Sequence, residues 1–209
     1  MNPYKLWTRI DQSDVGLHPT VYSGPCFYYL VHTNEGFEVE SNQEIINFKI
    51  KLEDIDKSPG RRYWKDNAIN NLSSALAYWL KDNSNAIEKW GNVALIPMPT
   101  SRPSSHEYYD SRLVRLCENA SKMTGLVRVE NILDSKQELI PAHEGGPRDL
   151  PTLKGNLIVR SPSKPLKVII LIDDLITSGN HYAACYEALQ ECFPNTGIIG
   201  LFLARHRYV

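Results

Sequence analysis

Residues 168–181 read VIILIDDLITSGNH: an apolar run, two adjacent carboxylates (Asp173 and Asp174), two apolar residues, and a short loop of hydroxyl residues and glycine. The run predicts a buried strand, because continuous Val/Ile/Leu stretches suit a strand covered on both faces. Such a strand delivers Asp173 and Asp174 to its carboxyl end, where open α/β sheets bind ligands. Behind them, Thr177, Ser178, Gly179 and Asn180 lead into a helical pattern beginning at His181. Small residues before a helix allow several backbone N–H groups to converge on one anion, reinforced by the helix N-terminus. The segment therefore offers acceptors for hydroxyl groups or a metal, and donors for a phosphate. A sugar phosphate has that polarity. The plainer reading, a capping Asp174 and a glycine turn, accounts for less of the pattern.

Working outward, the same rhythm recurs. NVALIPMP (92–99) predicts a buried strand ending at prolines, followed by the loop TSRPSS. Ser104 or Ser105 is placed to cap a helix carrying Tyr109, Leu113, Leu116, Ala120 and Met123 on one face, with Gly125 as its stop. LVRVENIL (126–133) reads as a third core strand. Residues 134–155 read as a long loop, and NLIVR (156–160) as a short strand. HYAACYEALQECF (181–193) predicts a helix and GIIGLFLA (197–204) the last strand. Strand–helix alternation of this kind predicts a parallel sheet with helices on its faces.

The first part differs. CFYYLVH (26–32) and GFEVE (36–40) predict a β-hairpin through a glycine-containing turn. INFKIKL (46–52) alternates as a half-buried strand, and a polar breaker with Pro59-Gly60 follows. Ala68, Leu72, Ala75, Leu76 and Trp79 predict an amphipathic helix over 65–82. The expected organisation is an N-terminal accessory region, 1–60, and an α/β core, 61–209.

Bulk properties narrow the function classes. The chain has 209 residues, 42% hydrophobic and 22% charged, with formal net charge −1. That balance supplies no overall drive toward nucleic acid or acidic membranes. The N-terminus MNPYKLWTRIDQ lacks a signal-peptide pattern, and no apolar run reaches spanning length, so a cytoplasmic protein without a membrane partner is expected. The four cysteines (Cys26, Cys117, Cys185, Cys192) have no metal-binding or disulfide spacing.

VIILIDDLITSGNH closely resembles the phosphoribosyl pyrophosphate (PRPP) signature of type I phosphoribosyltransferases. The resemblance implies a parallel sheet with flanking helices and a smaller hood, here the N-terminal hairpin and helix. By position it assigns Asp173 and Asp174 to the ribose hydroxyls and Thr177, Ser178, Gly179, Asn180 and His181 to the 5′-phosphate. Within the family, ALIPMPTSRPSS and SKQELIPAHEGGPRDLPTLKGNLIV are most similar to the ComF-like, late-competence branch. The branch's cysteine zinc module is absent, SHEYYDSR replaces its arginine-rich helix entry, and His181 stands where a threonine usually closes the loop.

The resemblance further implies a pyrophosphate loop at Thr100, Ser101 and Arg102, whose guanidinium suits a leaving pyrophosphate. It also implies a mobile flap carrying Lys136, His143 and Arg148, with Arg148 the best catalytic candidate there. Mg²⁺ is the expected cofactor, held mainly through substrate, with Asp173 and Asp174 as the candidate protein ligands. Thr177 replaces the carboxylate of purine-salvage members and cannot act as their base. The expected activity is phosphoribosyl transfer from PRPP, or use of a nucleotide-like ligand, with pyrophosphate release. Alternatives are a non-catalytic PRPP or nucleotide sensor, a competence-like accessory handling single-stranded nucleic acid, and an effector of a defence or toxin system. A homodimer is left open. Arg205, His206 and Arg207 read as a charged tail after the last strand, with acceptor or nucleic-acid contact as the other reading. Phe27, Tyr28 and Tyr29 read as core rather than as a stacking platform.

Overall fold

The computed structural model describes residues 7–140, 145–146 and 149–207. Its centre is a six-stranded mixed sheet. Strands β1 (Thr8–Arg9), β2 (Cys26–His32), β3 (Val93–Pro97), β4 (Arg128–Val129), β7 (Val168–Ile176) and β8 (Gly197–His206) lie in the order β1-β2-β8-β7-β3-β4. Every pairing is parallel except β1 with β2. β5 (Leu133–Ser135) and β6 (Leu157–Val159) form a separate antiparallel pair.

The apolar runs dictate burial on both faces. Leu95, Ile96 and Ile169 to Ile172 are fully buried. On one face, Ile170, Ile172, Leu201 and Leu203 pack with α1 (Glu40–Phe48), α3 (Arg61–Asp82) and α5 (Arg112–Thr124). On the other, Ile169, Leu171 and Phe202 pack with α7 (Asn180–Cys192) and a 3-10 turn (Pro19–Tyr22). The α3 stripe of Ala68, Leu72, Ala75, Leu76 and Trp79 is buried as its spacing predicts. Gly125 ends α5 in the left-handed conformation, φ 66°, where a side chain would be strained.

The connectivity places a switch point. From β3 the chain passes through α5 to β4 on one side. It then returns through β5, α6 (Leu150–Gly155) and β6 to β7 on the other side of β3. Chain order thus reverses between β3 and β7, and a ligand site is expected beyond the carboxyl ends of those two strands.

Several sequence expectations are corrected. The expected hairpin of 26–32 with 36–40 is absent: β2 pairs with β8 and β1, and Glu40 opens α1. Asn42 organises the turn instead, accepting from Thr33 N–H and donating to the carbonyls of Thr33 and Gly36. Residues 46–52 are the end of α1 and the start of α2 (Leu52–Lys57), so Ile45 and Phe48 are buried by helical spacing. Ser111, not Ser104 or Ser105, precedes α5, and Tyr109 and Met123 are not part of its buried face. The expected strand at 126–133 is reduced to Arg128–Val129, after which the chain leaves the main sheet. Residues 134–155 contain ordered pieces of β5 and α6 rather than a continuous loop. β7 and β8 both run past their predicted ends, so Arg205 and His206 are strand residues. No described helix is long and apolar enough to cross a membrane.

Candidate functional site

The two carboxylates lie within β7, which continues through Ile176. Neighbouring strand residues point to opposite faces, and the contacts follow that rule. Asp173 meets α7: its Oδ2 is 3.6 Å from His181 Nδ1, and its Oδ1 accepts the Asp174 N–H at 2.8 Å. Asp174 meets α1 and α5. Its Oδ2 accepts from Arg112 Nη2 at 2.6 Å and Nε at 3.2 Å, and Lys49 Nζ is 3.3 Å from Oδ1.

The Asp174 cluster extends inward. Arg112 Nη1 is 2.8 Å from Asp110 Oδ2, which also receives Lys65 Nζ at 2.7 Å. Lys65 is 2% exposed and donates to the carbonyls of Phe48 and Ile50 at 3.0 and 2.8 Å. Lys49, Arg112 and Lys65 face Asp174 and Asp110, leaving an excess of one positive charge. Burial disfavours the Asp174 carboxylate, but Lys49 and Arg112 outweigh it and hold its pKa far below the usual range. Ionised at neutral pH, it can accept from a hydroxyl only by sharing or displacing its present donors.

The loop behind the acids is built as the sequence suggests. Gly179 precedes α7 with φ 81°, and Ser178 Oγ is 3.5 Å from Asn180 N. Thr177 is exposed, and Ser178, Asn180 and His181 are half-buried. An unexpected brace holds the loop from behind. His18 N–H donates to Ser178 O at 2.7 Å, and a methyl at Gly179 would lie 2.6 Å from Val21 Cγ2. Buried Arg205 donates to Thr177 O at 2.9 Å and Val15 O at 3.2 Å. Desolvation opposes protonation of His181, yet Cys185 and Asp173 prevail and raise its pKa well above the ordinary histidine value. The loop therefore combines a helix N-terminus with an imidazole whose proton affinity is raised, both suited to an anion.

On the β3 side, Met98 N–H donates to Ile172 O at 2.8 Å and holds the end of β3 beside β7. In the following loop Thr100 Oγ1 donates to Arg102 O at 3.1 Å, and Ser101 O accepts from Leu139 N–H at 2.9 Å. Arg102 is engaged: Nε is 2.7 Å from Glu138 Oε1, Nη1 contacts Glu53, and its guanidinium lies 5.9 Å from the Tyr108 ring centroid. Lys136 Nζ donates to Gly155 O at 2.6 Å. His143 and Arg148 lie outside the described residues.

Lys49, Lys65, Asp110 and Arg112 were not singled out by sequence as site residues. Asp110 and Arg112 sit in SHEYYDSR, whose position before a helix was the only local signal. A second missed feature is a histidine pair: His32 and His206 are register partners on β2 and β8, with Nδ1 atoms 2.9 Å apart. Among the described residues, no group of three or more His, Cys, Asp or Glu side chains could hold a metal ion. A scan of protein-family models finds no match to the chain, and a search of curated proteins finds no significant match.

Proposed function

We propose that the switch point between β3 and β7 binds PRPP or a related ribose 5-phosphate compound, and that the protein transfers the phosphoribosyl group to an acceptor with release of pyrophosphate. The observation that carries this reading is the junction of β7 with α7. There two acids and a left-handed glycine loop occupy the carboxyl end of a central strand, at the point where chain order reverses.

In this reading Thr177 to His181 receive the 5′-phosphate through backbone N–H groups, hydroxyls and the His181 imidazole. Asp173 and Asp174 accept from the ribose hydroxyls. Lys49, half-buried on a flexible stem, swings from Asp174 Oδ1 toward phosphate oxygens when a hydroxyl takes its place. Arg102 exchanges a carboxylate partner for pyrophosphate. The oxygen-only donors of Asp173 and Asp174 fit Mg²⁺ that keeps substrate oxygens and waters as its main ligands. Bound in that way, the ion would neutralise charge on the leaving pyrophosphate. The chain's own contribution is positioning and electrostatic stabilisation.

A non-catalytic sensor of the same ligands is the second reading, favoured by the ion pairs that already occupy Asp174. Thermal shift with PRPP, nucleoside monophosphates and pyrophosphate, with and without Mg²⁺, tests the common element. A ligand at 100 times its Kd would stabilise the fold by about 2.7 kcal/mol. PRPP should raise the melting temperature of wild type and not of Asp173→Asn. Pyrophosphate release then separates enzyme from sensor. No shift with any phosphorylated ribose would overturn both readings.

A further inference from the structure

The histidine pair lies on the same rim as the proposed site. Ile176 of β7 is the register partner of Arg205, and the next residue of β8 is His206, so the pair is level with the start of the Thr177 loop. Leu30 and Ala204, two residues back along β2 and β8, pack on the α1 face, which is also the face of Asp174. Lys49 links the groups: its ammonium is 3.3 Å from Asp174, and its charge acts on His32. Arg207 N–H donates to His32 O at 2.8 Å, and Ser41 Oγ to Val31 O at 2.7 Å, fixing the end of β2.

An Nδ1-to-Nδ1 hydrogen bond has a defined chemistry. One imidazole must donate and the other accept, which fixes opposite tautomers in the two rings. Desolvation, His206 and Lys49 hold His32 below the ordinary histidine pKa, and desolvation and Arg205 do the same for His206. The cations acting on the pair include Lys49, just past the end of α1, and Arg205 from β8. Both rings are neutral near pH 7, the state in which a histidine takes up a proton.

We propose that His32 is the general base that deprotonates the acceptor, and that His206 is the positioning residue that sets its tautomer. This rests on the phosphoribosyl-transfer reading above. With His32 Nδ1–H donating to His206, the lone pair of His32 resides on Nε2. The acceptor's N–H or O–H proton moves to that nitrogen as the acceptor's electron pair forms a bond to C1′. The C1′–O bond to pyrophosphate breaks, and its electron pair leaves on pyrophosphate. The resulting imidazolium keeps its hydrogen bond to His206, and repulsion from Lys49 favours return of the proton to solvent.

The test measures PRPP binding by calorimetry with Mg²⁺, and pyrophosphate release with purines, pyrimidines, amines and water as acceptors. His32→Gln should keep PRPP affinity within about threefold and lose about 10²–10⁴-fold in kcat, the range of general-base catalysis. His206→Phe, which leaves His32 Nδ1 without its partner, should lower kcat with PRPP affinity unchanged, and His206→Asn, whose side-chain oxygen can accept, should restore part of the loss. Unchanged turnover in His32→Gln with intact PRPP binding would overturn the base assignment alone. No PRPP binding to wild type would overturn the underlying reading and this one with it. PRPP bound by wild type without pyrophosphate release from any acceptor would overturn the base assignment and favour a sensor. Independently of the variants, ¹⁵N spectra of the wild-type imidazoles should show His32 protonated on Nδ1 and His206 on Nε2 at pH 7, and any other pair of tautomers would refute the assignment.

Discussion

Arg112 bridges Asp174 and Asp110: Nη2 is 2.6 Å from one carboxylate and Nη1 2.8 Å from the other. Asp174 comes from the central strand and Asp110 from the segment entering α5, so one guanidinium ties the helix start to the rim of the sheet. The Asp174 and Asp110 side chains are 8% and 13% exposed. Removing the bridge would leave two carboxylates with little access to water.

Arg112→Leu is therefore expected to destabilise the fold by about 3–5 kcal/mol, the range for breaking a buried ion pair on one side. Lys49→Met should cost less than about 1 kcal/mol, because its side chain is more accessible to water than that of Arg112 and its contact with Asp174 is longer. Urea unfolding of both variants checks the contrast. Equal losses would mean that Lys49 is structural rather than displaceable.

Acid titration tests the same cluster. The Asp174 pKa is depressed in the folded state: burial works against the carboxylate, and Lys49 and Arg112 overcome it. Its contribution to stability is complete above the unfolded value, about 3.9, and disappears as pH falls through the lower folded value. Stability should therefore decline below about pH 4, and the decline should be shallower in Asp174→Asn. Unfolding midpoints measured between neutral and strongly acidic pH would show it.

His181 has the opposite sign. Its folded pKa is raised, with desolvation outweighed by Cys185 and Asp173. The stabilisation is complete below the unfolded value, about 6.5, and is lost as pH rises through the folded pKa. Wild type should therefore lose stability relative to His181→Gln on going from pH 6 into the alkaline range. A constant difference between the two unfolding curves would show that the Asp173 contact is energetically silent.

These behaviours separate what the sequence displays from what only folding assembles. β3, β7 and β8 were legible because each is a continuous apolar run, and α3 because its stripe keeps helical period across many turns. The expected strand at 46–52 failed because Phe48, Ile50 and Leu52 straddle the junction of α1 and α2, and a few residues of apparent alternation do not distinguish a strand from a helix end. β5 gave no apolar signal: Asp134 is buried there because Ser104 and Arg160 satisfy it. The site divides likewise. Asp173 to His181 form one contiguous segment, whereas Arg112 lies 62 residues and Lys49 125 residues from Asp174. His32 and His206, 174 residues apart, meet only because β2 and β8 are neighbours.

The brace behind the loop permits a sharper test. Gly179 has φ 81°, and a Cβ there would approach Val21 Cγ2 to 2.6 Å. Gly179→Ala thus meets two penalties, about 1–2 kcal/mol for a left-handed non-glycine residue and a steric term against Val21. Truncating Val21 to alanine removes only the second. In a double-mutant cycle the Gly179→Ala penalty should be about 1 kcal/mol smaller in the Val21→Ala background. An additive cycle would show that Val21 yields freely and that the N-terminal segment does not clamp the loop. Ligand binding should follow the same pattern: displacement of Val21 by the new methyl would disturb the adjoining His18–Ser178 bond, and Val21→Ala would restore part of the lost affinity.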